Sequence, residues 1–241
     1  MKIALLSDIH GNLEALRRVL EDAATQAPDR MICLGDAIGY GPEPDQVVRV
    51  LTRKGIPTLL GNHELATIRP EIRDWFNPSA RRSLERTLEL LSPQVLELLH
   101  TWPQVLERDN ALFVHGCPPD SITRYLFEVS DEDFPHLFET YPHRLCFVGH
   151  THVLRWISWD GTDLERGVPG PQPLKLLPER RYIVNVGSVG QPRDGDNRAK
   201  YVLWDTESDT IQVRCVPYDI AATAEKILAL GFPRINADRL W

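Results

Sequence analysis

Short runs rich in Val, Ile and Leu alternate with helical patterns over the first 150 residues, and that alternation predicts βαβ units. Strands are expected at Ile3–Ser7, Met31–Leu34, Pro57–Leu60, Ala111–His115 and Leu145–Gly149. Behind the first strand, Leu13, Leu16, Val19 and Leu20 repeat at helical spacing and define an inward face. A second helix is expected to start near Glu43–Asp45, carry Val47, Val48 and Leu51 inward, and end toward Gly55. Residues 65–103 read as a helical insert, in which Asn77-Pro78 and Ser92-Pro93 each place a capping residue before a proline at the first helical position. Beyond His152 the pattern changes. Val153–Trp159, Tyr182–Val186, Tyr201–Asp205 and Ile211–Val216 read as successive strands without long helices between them, and Gly161–Pro173 reads as a loop at a hairpin end. A C-terminal helix and tail are expected over 217–241, and the economical organisation is one α/β domain over 1–241 with mixed sheets.

Composition narrows the classes. At 241 residues the chain has ample length for a core, and 42% hydrophobic with 25% charged residues is ordinary for a soluble globular protein. Lys plus Arg total 27 and Asp plus Glu 34, a formal charge of −7, which argues against a nucleic-acid coat or an anionic-membrane binder. Nothing resembles a signal peptide, and no apolar run approaches the ~20 residues that span a bilayer, so the cytoplasm is the expected location. Cys33, Cys117, Cys146 and Cys215 show no C-x-x-C pairing and read as reduced, buried thiols.

The residues just after each predicted strand carry the chemistry. The five strand ends deliver Asp8 and His10, then Asp36, then Asn62 with His63 and Glu64, then His115, then His150 and His152, mostly beside a glycine. Taken alone, Asp8 reads more readily as a helix cap and Asp36 as a turn residue. Taken together they are another matter, because the carboxyl ends of strands in an open α/β sheet converge on one crevice. Two carboxylates, four imidazoles and an amide oxygen suit borderline first-row divalent metals, with Mn the leading expectation and Fe, Zn, Ni or Co as alternatives. Seven such groups exceed the needs of one ion and fill two sites that share a carboxylate. A two-metal centre suits in-line displacement at phosphorus. His100, His136 and His143 lack such partners and receive no role.

Asp8-x-His10, Gly35-Asp36, Gly61-Asn62-His63-Glu64, His115-Gly116 and Gly149-His150-Thr151-His152, in this order, resemble the calcineurin-like metallophosphoesterase superfamily. The longer strings GDAIGYGPEPDQVV, FNPSARRSLERTLELLSPQVLELL and NVGSVGQPRDGD are similar to small stand-alone prokaryotic phosphodiesterases of that superfamily. The resemblance implies two packed mixed sheets flanked by helices and a dinuclear centre. One ion would be held by Asp8, His10, Asp36 and His152, and the other by Asp36, Asn62, His115 and His150. It further implies that a metal-bridging hydroxide attacks a small phosphate ester or nucleotide, and that the catalytic His63 reaches toward the phosphoryl group. Glu64 either orients His63 or opens the following helix. Ser/Thr protein phosphatases carry a second Asp and an Arg where Gly39 and Tyr40 stand here, which argues against that branch and leaves His63 without an identified partner. Arg193 and Tyr40 are candidate substrate contacts, with a local ion pair to Asp194 or Asp196 as the alternative for Arg193. A nuclease using Arg81, Arg82 and Arg86, or a non-catalytic scaffold, are the competing functions, and the apolar tail at Leu240-Trp241 leans toward a homodimer.

Overall fold

The computed structural model describes residues 1–241. Two mixed sheets form. The first has the order β2-β1-β10-β11-β8, from β1 (Lys2–Leu6), β2 (Arg30–Cys33), β8 (Leu174–Lys175), β10 (Ala199–Asp205) and β11 (Thr210–Val216). The second has the order β3-β4-β5-β9-β6-β7, from β3 (Val105–Arg108), β4 (Ala111–Val114), β5 (Leu145–Val148), β6 (Arg155–Trp159), β7 (Leu164–Gly167) and β9 (Arg181–Asn185). β1 and β2 run parallel, as do β4, β5 and β9, whereas the remaining pairs are antiparallel.

Period-two alternation explains why β1 is apolar throughout. Ile3 and Leu5 face the second sheet in a core with Phe113, Phe147, Val184 and Trp204, while Ala4 and Leu6 face helices on the other side. Those helices are α1 (Leu13–Gln26) and α2 (Pro44–Arg53), whose Leu16, Val19, Val47 and Leu51 are fully buried. On the far side of the second sheet, α6 (Phe134–Glu139) closes a third cluster through Phe134, Leu137 and Phe138. The layers are therefore helix, sheet, sheet, helix. The insert is helical as expected: α3 (Asn62–Ile68), a 3-10 turn at Pro70–Trp75, α4 (Pro78–Leu90) and α5 (Pro93–Leu99). Asn12, Asn77 and Ser92 cap α1, α4 and α5 through their side-chain oxygens.

Two expectations need correction, and two short strands were not anticipated. Pro57–Leu60 is not a strand but a single bridge between Thr58 and Cys33, because Pro57 has no N–H and the chain turns into α3 at Asn62. Within the segment expected to be a loop, Leu164–Gly167 forms β7 against β6. The short strands β3 and β8 carry too few residues to show a period. The four cysteines are free thiols. At the C-terminus, α7 (Ile220–Ala229) and α8 (Arg234–Asp238) pack on the body: Leu240 is buried, and Asn236 Nδ2 donates to the Tyr40 carbonyl (2.9 Å) and to Ser83 Oγ (2.8 Å). No helix is long and apolar enough to cross a membrane.

Candidate metal centre

At the carboxyl ends of β1, β2 and β5 the chain leaves each strand through left-handed residues. Asp8, His10, Asp36, His150 and His152 have φ between 50° and 66°. An L-residue there costs on the order of 1 kcal/mol or more, and such strain collects at functional sites. Gly149 serves another purpose: a Cβ there would collide with Ser7 Oγ and Asp8 Oδ2. Glycine here permits close approach, while the polar residues themselves adopt the unusual backbone.

All six His and Asp side chains of the cluster are buried. Each carboxylate satisfies one oxygen with a backbone N–H and directs the other at imidazoles. Asp8 Oδ2 accepts from His150 N (3.0 Å), while its buried Oδ1 has no hydrogen-bond partner and lies 3.3 Å from His152 Nε2 and 3.7 Å from His10 Nε2. Asp36 Oδ1 accepts from His63 N (2.9 Å), and Oδ2 lies 3.6 Å from His10 Nε2 and 3.3 Å from His115 Nε2.

The imidazoles are fixed from behind. His10 Nδ1 donates to the Ile38 carbonyl (2.9 Å), His152 Nδ1 to Gln191 (2.6 Å) and His115 Nδ1 to Leu34 (2.8 Å). Those protons make each Nε2 a lone-pair donor, the arrangement that orients metal-ligating histidines. His150 instead pairs Nε2 with the Thr123 carbonyl (3.1 Å), which leaves its Nδ1 free. Two lone pairs, from His10 Nε2 and His152 Nε2, then face each other at 3.1 Å beside the unpartnered Asp8 oxygen. No proton lies between them, so a cation is the group that satisfies all three. The residues fit a metal ion on this ground. His115 Nε2 also faces acceptors, Asn62 Oδ1 at 3.2 Å and Asp36 Oδ2 at 3.3 Å, a place that a proton or a metal ion can fill. Metal-competent triplets are Asp8/His10/His152, His10/Asp36/His63 and Asp36/His115/His150.

Electrostatics reflect the excess of acceptors. Burial pushes the Asp8 carboxyl up to about 7 and holds His10 and His152 well below the ordinary imidazole value. Burial also lowers His150 to about 3 and His63 to about 4. At His115 burial opposes protonation, but the Asp36 carboxylate outweighs it and lifts the imidazole to about 9.

His63 sits at the edge of this cluster, packed edge-on against Tyr40 (4.6 Å) and Phe76 (4.9 Å). Its Nδ1 is buried without a partner against Gly39, where a Cβ would collide with the ring. Gly39 thus lets the ring pack against bare backbone, and no carboxylate reaches this nitrogen. Glu64 does not touch the ring. Its carboxylate accepts from Asp36 N (2.9 Å), Ile38 N (3.0 Å) and Gly61 N (2.8 Å), bracing two cluster loops and closing the capping box of α3.

Sequence reasoning missed the braces. Ser188 Oγ and Gly190 N donate to the Asp8 carbonyl at 2.8 and 2.9 Å, and Asn185 Nδ2 donates to the Gly149 carbonyl at 2.6 Å. The NVGSVGQ string therefore holds two ligand-bearing loops in place. Arg193 makes no ion pair: Asp194 binds Lys200, Asp196 binds Arg198 and Lys200, and the Arg193 guanidinium bonds Gln191 Oε1 and lies 5.9 Å from the Tyr40 ring. Of the three arginines named for a nuclease, Arg81 pairs with Asp74 and Arg86 with Glu89, whereas Arg82 makes no ion pair. His136 pairs with Glu139 and His143 with Glu107, both away from the cluster.

A sequence model of the calcineurin-like phosphoesterase superfamily domain matches residues 1–209. The chain is 32% identical over 244 residues to an uncharacterized protein of Methanocaldococcus jannaschii, covering 99% of this chain and 97% of that one. Among solved structures, a metallophosphoesterase from Sphaerobacter thermophilus superposes with a TM-score of 0.87 at 34% identity, covering 100% of this chain and 98% of that one. A hypothetical protein from Pyrococcus horikoshii shares the fold at TM-score 0.77 and 18% identity, covering 100% and 97%. The chain belongs to the calcineurin-like phosphoesterase superfamily, a metal-dependent family, and is a phosphoric ester hydrolase.

Proposed function

We propose that this chain hydrolyses small phosphate diesters with two divalent cations, manganese foremost. Asp8, His10, Asp36 and His152 hold one, and Asp36, Asn62, His115 and His150 hold the other. The observation that supports this reading best is Asp36 Oδ2, a single oxygen lying 3.6 Å from His10 Nε2 and 3.3 Å from His115 Nε2, in position to serve both. When bound, such a pair of ions lowers the pKa of coordinated water and neutralises charge on phosphoryl oxygens.

The protein's own groups supply the rest. The carbonyls of Ile38, Gln191 and Leu34 keep the protons of His10, His152 and His115 on Nδ1, so each Nε2 is ready as a ligand. Glu64 fixes the Asp36 and Gly61 backbones against each other, which sets the distance between the two ligand groups. His63, with Nδ1 sealed against Gly39, offers Nε2 to hold a phosphoryl oxygen or to pass a proton to the leaving oxygen. Tyr40 and Phe76 shield that imidazole from water. Arg193, free of any carboxylate, is the cation positioned for an anionic phosphate oxygen.

The test is metal reconstitution of the chelated protein with Mn, Fe(II), Zn, Ni and Co in turn. Metal content and turnover of methyl p-nitrophenyl phosphate and p-nitrophenyl phosphate are then measured. Two equivalents of bound metal with faster diester than monoester turnover is the expected result. One equivalent, or no turnover of either ester with any metal, overturns the reading.

A further inference from the structure

Next to the cluster lies a cavity of about 250 Å³ whose floor is shared with it: Asn62 and His150 line both. Its walls are aromatic. Tyr40, Trp75, Phe76 and Tyr125 surround it, brought together from the loop after β2, the helical insert and the loop after β4. Tyr125 lies parallel to the His150 ring at 3.8 Å and 13°, and Phe127 stacks on Tyr125 at 4.7 Å and 15°. Trp75 is 70% exposed at the rim, although folding normally covers so large an apolar ring. A mutually stacked wall and an uncovered indole make a slot for a flat ring.

The polar groups of the cavity refine the ligand. Asn77 Oδ1 is committed to capping α4, through Ser79 N and Ala80 N, so its amide NH₂ is the group left to donate. Glu128 contributes a carboxylate acceptor at the same cavity. One donor and one acceptor match the edge of a nucleobase. A carboxylate there also opposes a second phosphate in the cavity, so the anionic part of the ligand belongs on the Arg193 side. At about 250 Å³ the space sits below the ~300–1,000 Å³ of drug-sized ligand sites, which limits it to one base with its sugar.

Resting on the phosphodiesterase reading above, we infer that the aromatic cavity formed by Tyr40, Trp75, Phe76 and Tyr125 binds the base of a nucleotide whose ester phosphate lies on the metal cluster. The substrate class is then a nucleotidyl ester carrying a single nucleoside on the cavity side. Stacking is tolerant of base identity, and the Asn77–Glu128 pair adds a preference for a base that presents both a donor and an acceptor.

The experiment compares kcat/KM for thymidine 5′-(p-nitrophenyl phosphate) and methyl p-nitrophenyl phosphate, which share a leaving group, in the metal-loaded wild type and in Trp75→Ala. The expected result is a preference of about tenfold or more for the nucleotidyl ester, and a fall of about tenfold in that ratio for Trp75→Ala. AMP and the adenine-free ribose 5-phosphate are compared as inhibitors of methyl p-nitrophenyl phosphate turnover. Tighter inhibition by AMP in wild type, weakened in Trp75→Ala and in Glu128→Gln, supports the base site. Equal kcat/KM on the two esters, or equal inhibition by AMP and ribose 5-phosphate, overturns it while methyl p-nitrophenyl phosphate turnover still upholds the phosphodiesterase reading. Absence of turnover on both esters instead removes that underlying reading.

Discussion

Two polar clusters in this molecule are built on opposite rules. On the outer face of the first sheet, Asp22 of α1 accepts from Arg214 Nε (3.0 Å), Arg214 Nη2 (2.7 Å) and the Tyr201 hydroxyl (2.7 Å). Donors meet acceptors, the charges cancel, and the backbone around them is regular strand and helix. At the strand ends, Asp8, His10 and His152 present acceptors to acceptors, and they and Asp36 stand on strained backbone. The first arrangement is complete as a folded chain. In the second, the facing acceptors Asp8, His10 and His152 are satisfied by a cation the chain does not itself provide. Burial alone does not separate structural from functional polar groups; the balance of donors against acceptors does.

The largest expected effect breaks the second cluster at its shared oxygen. Asp36→Asn places an amide between His10 and His115, and kcat/KM should fall by more than the 10²–10³ typical of losing one charge-stabilising donor, with both metal equivalents lost by mass spectrometry. Retention of one equivalent would show that the two groups of ligands act separately. His63→Ala should reduce kcat by roughly 10²–10⁴ while metal content stays at the wild-type value. Loss of metal in that variant would make His63 a ligand, as its place in the His10/Asp36/His63 triplet permits.

Chelation tests the donor–acceptor rule itself. Removing metal from a site held at 100 times its Kd costs about 2.7 kcal/mol, or about 5–10 °C in Tm for a chain of this size. Asp36→Asn should lose that response, and Asp22→Asn should keep it in full. The smallest effect is on the complete cluster. Asp22→Asn should lower stability at neutral pH by about 2 kcal/mol with metal binding unchanged. The Arg214 hydrogen bonds hold the Asp22 carboxyl below its ordinary value. Its stabilisation is therefore present above the unfolded pKa of about 3.9 and lost as pH falls through the folded value. Wild type and variant should converge in acid, and a gap that widens there would contradict the assignment.

The names of the cluster residues were legible because strand–turn grammar and residue type repeat at each strand end. Their geometry was not. That Asp8, His10, Asp36, His150 and His152 would themselves take positive φ has no local signal, since adjacent glycines offered a cheaper explanation. The carbonyls of Ile38, Gln191, Leu34 and Thr123 orient four imidazoles, yet every residue has a carbonyl and none announces its use. Phe76 and Tyr125 reach the site from segments whose own patterns describe only a capped helix and a loop. Strands failed where they were short: a bridge at Thr58 and a two-residue β8 carry no period to read.

Ser188, which locks the Asp8 carbonyl, stands 180 residues later in the chain. At a synthesis rate of ~5–20 residues per second, Asp8 leaves the ribosome roughly 10–40 seconds before its brace exists. During that interval Asp8 and the neighbouring His10 lack the brace that fixes their loop. The order of synthesis thus completes this loop of the cluster only after most of both sheets has been made.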